Sequence, residues 1–191
     1  MAGPNLAREI ADGQPAATVI ASRFDEVIEI GQQALANPNF LVYGSHDIKG
    51  IEMAGILKNY IAIAAGALKG LGLGENAASL LVSRGMAEMI YIGRAFGATE
   101  RSFIGIAGIG DLMAPCSSPL SRNFTVGNRI AKGETLNEII NDMEEVAEGV
   151  RTVQVVKSLC DSYNISAPIA QELFNVMFEG LPLKEAIESL M

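Results

Sequence analysis

Lys58 stands in an almost wholly apolar segment, KGIEMAGILKNYIAIAAGALKG, residues 49–70. If that segment is a helix, the neighbours of Lys58 on its face are Ile51, Ala54, Gly55, Ile61 and Ala62, all small or apolar. A lysine so placed has two readings. Its stem can lie on the core while the ammonium reaches water. Alternatively the ammonium is partly desolvated and exchanges a proton near neutral pH, with Gly55 leaving room beside it for a ligand. A second cluster lies in GIAGIGDLMAPCSSPLSRNFTVGNR, residues 105–129. Ser117, Ser118, Ser121, Arg122 and Asn123 precede or open a helix, whose first-turn amides and dipole welcome an anion. Arg122 would add a bidentate contact to phosphate. The plainer reading makes Ser121 a helix cap and Arg122 a solvated surface residue. Asp111 follows Gly-Ile-Gly, where backbone could approach a ligand closely, or where an Asp simply serves a turn. Gly3-Pro4-Asn5 forms a turn after a presumed strand, a position where open α/β sheets bind ligands but also where ordinary turns fall.

Other chemistry finds less support. Cys116 has no base near it in sequence, so a cysteine nucleophile is not expected. Cys116 and Cys160 form neither a disulfide framework nor a CxxC site, and the single histidine, His46, has no Cys/His cluster around it, so no metal is expected. Asp142, Glu144 and Glu145 read as a solvated helix end, Met86 and Met89 as core, and Glu148 stays open. The formal charge of −8, with no basic face or arm, excludes general nucleic-acid binding but not a phosphorylated small molecule. The longest apolar run, residues 60–68, ends at Lys69, so no membrane insertion is expected, and the first residues lack the pattern of a signal peptide. A cytoplasmic setting fits.

The elements that must hold these residues divide into two parts. Residues 6–11 look helical, 17–22 like a strand, 24–33 like a helix and 39–44 like a strand, which suggests the edge of an α/β sheet. Two strands do not make a stable sheet alone, so residues 1–44 read as the end of a longer α/β domain. From Ser45 the pattern is helical. Ser45 or Asp47 caps a helix to about Gly70, and Asn76 caps the next to about Gly97, with Arg84 and Glu88 as an i,i+4 pair. A short helix precedes the Gly-rich stretch, which itself reads as loop. Further helices begin near Ser121, at the Thr135–Glu138 capping box, near Gly149, at Pro168 and after Pro182. Residues 45–191 are thus expected to form an all-α domain of five to seven helices.

Five stretches together resemble the NAD(P)-dependent glycerol-3-phosphate dehydrogenases, in that family's order and over nearly the whole chain. They are AGPNLAREIADGQPAA, GIEMAGILKNYIAIAAGALKGLGLGENA, LVSRGMAEM, GIAGIGDLMAPCSSPLSRNFTVG, and VAEGVRTVQVV with APIAQELFNVMFEG. The resemblance implies a mainly α fold. Its all-α C-terminal domain would be of the 6-phosphogluconate-dehydrogenase-C-terminal-like type, preceded by the residual α/β segment of a dinucleotide-binding domain. It implies reversible hydride transfer between NAD(P)H and dihydroxyacetone phosphate, giving sn-glycerol 3-phosphate, a phospholipid precursor. Lys58 matches the family's proton-transferring lysine. Gly3, Asn5, Asp111, Ser121, Arg122 and Asn123 match substrate contacts. Ala7, Arg122, Val146 and Glu148 match contacts to NAD or NADP. A homodimer is expected.

The chain departs from the family pattern at three positions. Asn5 stands where many members have Ser or Thr, Pro115 where Thr is common, and Phe124 where a basic residue is frequent. There is also no GxGxxG motif, and GLGLG at 70–74 joins two helices instead of following a strand. The chain is therefore expected to be the C-terminal part of a longer enzyme, with most of the cofactor site elsewhere and little activity alone. Two other classes remain open: a non-catalytic helical interaction module, and a related β-hydroxyacid-type dehydrogenase domain.

Overall fold

The computed structural model describes residues 1–143 and 147–190. In chain order the elements are α1 (Ala7–Ala11), β1 (Ala16–Ala21), α2 (Asp25–Leu35), β2 (Phe40–Ser45), α3 (Ile48–Gly70), α4 (Glu75–Ala95) and α5 (Glu100–Ile104). A π-helical turn (Ile106–Gly110) comes next, then α6 (Asp111–Ser117), α7 (Arg122–Ala131), α8 (Leu136–Asp142), α9 (Glu148–Tyr163), α10 (Pro168–Phe178) and α11 (Leu183–Leu190). The mainly helical class with two short leading strands is the one expected. After Ser45 the described residues hold nine α-helices, more than five to seven, because the Gly-rich stretch read as loop is helical. It winds into the π-helical turn and then α6, which carries Pro115 within it.

The chain folds into two compact units: residues 1–58 with 89–114, and residues 59–88 with 115–191. In the first, β1 and β2 pair in parallel from Ala16–Phe40 to Ala21–Ser45, joined through α2. On the other side of β1, Ala2 exchanges both backbone hydrogen bonds with Val19. Ala2, Val19, Ile51 and Ala107 form a core cluster there, with Ala21 and Ile106 against it. Asp47 fixes how α3 starts, as its sequence position predicts. Its carboxylate accepts from the Gly50 amide (2.9 Å), the Thr99 amide (2.8 Å), the Thr99 hydroxyl (2.6 Å) and the Ser102 hydroxyl (2.8 Å). Desolvation works against its charge, but those four donors outweigh it and hold the carboxyl down at about 2.

In the second unit the latter half of α3 is apolar all round and therefore buried all round. Tyr60, Ile61, Ala62 and Ile63 have no exposed surface. This helix is long and apolar enough to span a membrane by composition, but most of it is enclosed by protein. Glycine lets α3 and α7 pack backbone to backbone. A Cβ on Gly127 would lie 1.8 Å from the Ile63 carbonyl oxygen, and one on Gly66 would lie 1.9 Å from that of Phe124. Capping obeys the expected chemistry at α7, where the Ser121 hydroxyl accepts from the Phe124 amide, and at α8, where Thr135 and Glu138 form a capping box. Asn76 does not cap α4; it lies inside the first turn, after Glu75 has already begun the helix.

Glu88 does not form the exposed helix-face pair with Arg84 that its spacing suggests. It is buried, and it accepts from the amides of Ile169 (2.8 Å) and Ala170 (3.0 Å) in the first turn of α10 and from the Tyr60 hydroxyl (3.0 Å). A carboxylate there meets both the orphan amides and the positive end of the α10 dipole. Burial pushes the Glu88 carboxyl up, against the pull of those three donors. Burial, and then the charge of Glu88, hold the Tyr60 phenol well above its ordinary range, so it stays a donor.

Two measurements check this description. Glu88→Ala leaves two buried amides and a phenol without an acceptor, so equilibrium denaturant unfolding should show a loss of about 3 kcal/mol. Asp47, whose folded pKa lies below its unfolded value, contributes stability that is present above pH 4 and is lost as pH falls towards 2. A comparison of wild type with Asp47→Asn over that window should show the wild type losing about 1 kcal/mol more, a figure reduced for the solvent around this half-exposed group.

Candidate active site

In the first unit Lys58 comes from the middle of α3 and Asp111 from the first position of α6. Their ammonium and carboxylate oxygen Oδ1 lie 2.5 Å apart. The other oxygen, Oδ2, accepts from the backbone amide of Gly3 at 3.1 Å. Asp111 is almost entirely enclosed, while the Lys58 side chain keeps 22% of its surface exposed. The lysine therefore does not snorkel into open water. It points at a buried anion and shows the rest of its head to solvent. Burial pushes the Asp111 carboxyl up, and the Lys58 ammonium and the Gly3 amide pull it back down.

The π-helical turn sets where α6 begins, and so where Asp111 stands. It is built on glycine because a Cβ at Gly108 would lie 1.8 Å from the Phe103 carbonyl oxygen. Gly3 is also required by space, since its Cβ would fall 2.3 Å from the Ala17 oxygen. Gly55 faces the Ala2 methyl, which a Cβ built there would touch at an ordinary 3.4 Å.

Asn5 is exposed, and its carboxamide joins the Thr18 hydroxyl at 3.2 Å. Turned so that its nitrogen donates to the Ala17 carbonyl (2.9 Å), it still accepts from that hydroxyl. Ala7 opens α1 and is exposed.

In the second unit Ser121, Arg122 and Asn123 are the cap and first two residues of α7. Ser121 is buried, with its oxygen taken by the Phe124 amide (3.3 Å). Arg122 is exposed. Asn123 is buried with both ends of its carboxamide in use. Its oxygen accepts from the Gly149 amide at 2.9 Å, and its nitrogen donates to the Asn59 side-chain oxygen at 3.0 Å. Glu148, the first residue of α9, is exposed. Val146, Glu144 and Glu145 lie outside the described residues.

Asn59 does not stand out from the sequence alone. The available signal is that it is the one carboxamide in α3, placed in the apolar run next to Lys58. Pro115 is buried within α6 and Phe124 is half-buried in α7. Burial drives the Cys116 thiol up to about 12, so it is not a thiolate at neutral pH and not a ready nucleophile. His46 pairs instead with Asp25 (3.1 Å).

Comparison with known proteins places the chain in a class of helical domains. Residues 47–188 match the family described as NAD-dependent glycerol-3-phosphate dehydrogenase C-terminus, and the chain belongs to that family. Its curated relatives are named glycerol-3-phosphate dehydrogenase (NAD(P)+). Those of Parafrankia sp. and Pseudomonas putida are each 44% identical over all 191 residues. That of Synechococcus elongatus is 46% identical over the same span. The chain spans 57% of the Parafrankia protein, 56% of the Pseudomonas protein and 62% of the Synechococcus protein. A solved glycerol-3-phosphate dehydrogenase from Coxiella burnetii superposes with a TM-score of 0.96 at 32% identity, over 99% of this chain and 58% of that one. The yeast enzyme, at 24% identity, 0.88 TM-score and 98% of this chain against 57% of its own, shows the fold alone.

The ion pair makes a direct prediction. Asp111→Ala strands a half-buried ammonium and the Gly3 amide, and denaturant unfolding should show a loss of about 3 kcal/mol. Asp111→Asn keeps an acceptor for Gly3 and should lose less.

Proposed function

We propose that this chain is the substrate-binding and proton-transferring part of an NAD(P)-dependent glycerol-3-phosphate dehydrogenase. The observation that carries the reading is the enclosed Lys58–Asp111 pair with its second carboxylate oxygen tied to Gly3. An ammonium so held polarises the C2 carbonyl of dihydroxyacetone phosphate and gives its proton to the oxygen as the alcohol forms. In the reverse direction the amine takes that proton back. Asp111 keeps the ammonium aimed and balances its charge, and Gly3 serves the substrate through Asp111. Asn5, exposed beside that turn, completes this end of the substrate set.

The phosphate falls to the start of α7. The exposed Arg122 supplies a guanidinium, the Ser121 hydroxyl a proton to donate, and the Asn123 amide a first-turn donor. NAD or NADP supplies the hydride when bound. Three described residues suit the fringe of a nucleotide: exposed Ala7, exposed Glu148 as an acceptor for sugar hydroxyls, and Arg122 as a counter-charge; the family resemblance adds Val146. On this reading residues 1–44 belong to the dinucleotide-binding domain and residues 45–191 to the helical substrate domain. The free thiols Cys116 and Cys160 suit a reducing cytoplasm. Exposed Phe24, just before α2, with Val27 and Ile30 on it, offers an apolar face that supports a homodimer.

The reading is tested by mixing the chain with a separately made dinucleotide domain and monitoring NADPH oxidation with dihydroxyacetone phosphate. A rate should appear, and Lys58→Ala should lower it by about 10³-fold. No rate in the mixture, with both parts folded, would favour a non-catalytic interaction module.

A further inference from the structure

Resting on that substrate reading, we infer that Asn59 is a positioning residue that fixes the phosphate-accepting turn through Asn123. A carboxamide has two nearly equal-shaped ends, and a rotation of 180° exchanges acceptor for donor. What sets the Asn123 carboxamide is its neighbours. The Gly149 backbone amide can only donate, so the end of Asn123 facing α9 is its oxygen, at 2.9 Å. The nitrogen then faces α3, where the Asn59 side-chain oxygen accepts from it at 3.0 Å and holds that end.

The site has no slack. A Cβ on Gly149 would fall 2.6 Å from the Asn123 oxygen and 2.8 Å from Ile63 of α3. Asn59 and Asn123 are themselves buried, 8% and 9% exposed. One relay of two side chains thus joins the buried half of α3 to the first turns of α7 and α9. Asn123 is the second residue of α7, so holding its side chain also holds its backbone amide and the adjacent Arg122. Gly149 comes directly after Glu148, so the same bond sets how α9 begins. On this inference Asn59 acts through Asn123, by holding the nitrogen end of its carboxamide.

The test uses the full 191-residue chain with Asn59→Leu and Asn59→Asp, the second keeping an acceptor for Asn123. Two quantities are read by NMR: exchange protection of the Gly149 amide, and affinity for sn-glycerol 3-phosphate. Asn59→Leu should lower both by roughly tenfold, as expected for one lost buried hydrogen bond, with the helix content of wild type. Asn59→Asp should bring both back to within about threefold of wild type. Unchanged Gly149 protection in Asn59→Leu, or an Asn59→Asp chain as defective as Asn59→Leu, overturns the role. If Asn59→Leu does not fold, Gly149 protection in Asn59→Asp decides alone, with near wild-type protection supporting the role and lost protection overturning it. Failure of the wild type to bind sn-glycerol 3-phosphate counts against the substrate reading, while Gly149 protection still decides the positioning role.

Discussion

A carboxylate that loses water must be met by donors, and three carboxylates, two buried and one half-exposed, organise this chain. Asp47 gathers the start of α3 and the segment around Thr99 and Ser102. Glu88 gathers Tyr60 of α3 and the first turn of α10. Asp111 gathers the N-terminal turn and Lys58. The first two are met by uncharged donors, which is enough for structure. Only Asp111 is met by a cation, and that cation keeps part of its surface open. The three differ in the nature of their donors, since each of the carboxylates faces a desolvation penalty.

The same logic explains α3. An apolar helix is stabilised by burial on every side, and that burial fixes its rotation about its own axis. Lys58 and Asn59 are consecutive on it and so lie about 100° apart. Each is directed at a different partner, Asp111 for the lysine and Asn123 for the asparagine. Asn59 lies in the enclosed part of this helix, so its partner is specified by the packing of the rest of the helix. Removing polarity from either position would leave the fold's apolar packing intact and erase what the helix positions.

Much of this is legible in the sequence because it rests on local rules. The helices and strands fall close to where hydrophobic spacing and caps put them. The Thr135–Glu138 box and the Ser121 cap depend on neighbours three residues away, and both form. Lys58 stands out because its helix face is otherwise apolar. The features that escape a sequence reading share a different cause. Glu88 meets Ile169 across 81 positions, Asp47 meets Thr99 across 52, and Asn123 meets Asn59 across 64. No local pattern announces such partners. Arg84, one turn from Glu88, offers a tempting local answer that tertiary packing overrides.

The Gly-rich stretch misleads for a subtler reason. Glycine usually marks backbone freedom, so Gly105, Gly108 and Gly110 read as loop. Here glycine serves close approach. The Phe103 carbonyl oxygen lies 1.8 Å from where a Gly108 Cβ would be, an approach that only glycine permits, and Gly108 falls within the π-helical turn. A π turn shifts the register of the next residues relative to an α-helix, and the first of them is Asp111. The composition that looks like slack is thus the constraint that brings a carboxylate under Lys58. Gly3 repeats the device near the start of the chain, where absence of a side chain lets a backbone amide reach the same carboxylate. Two close approaches of bare backbone, at Gly3 and Gly108, thus lie on either side of one buried ion pair.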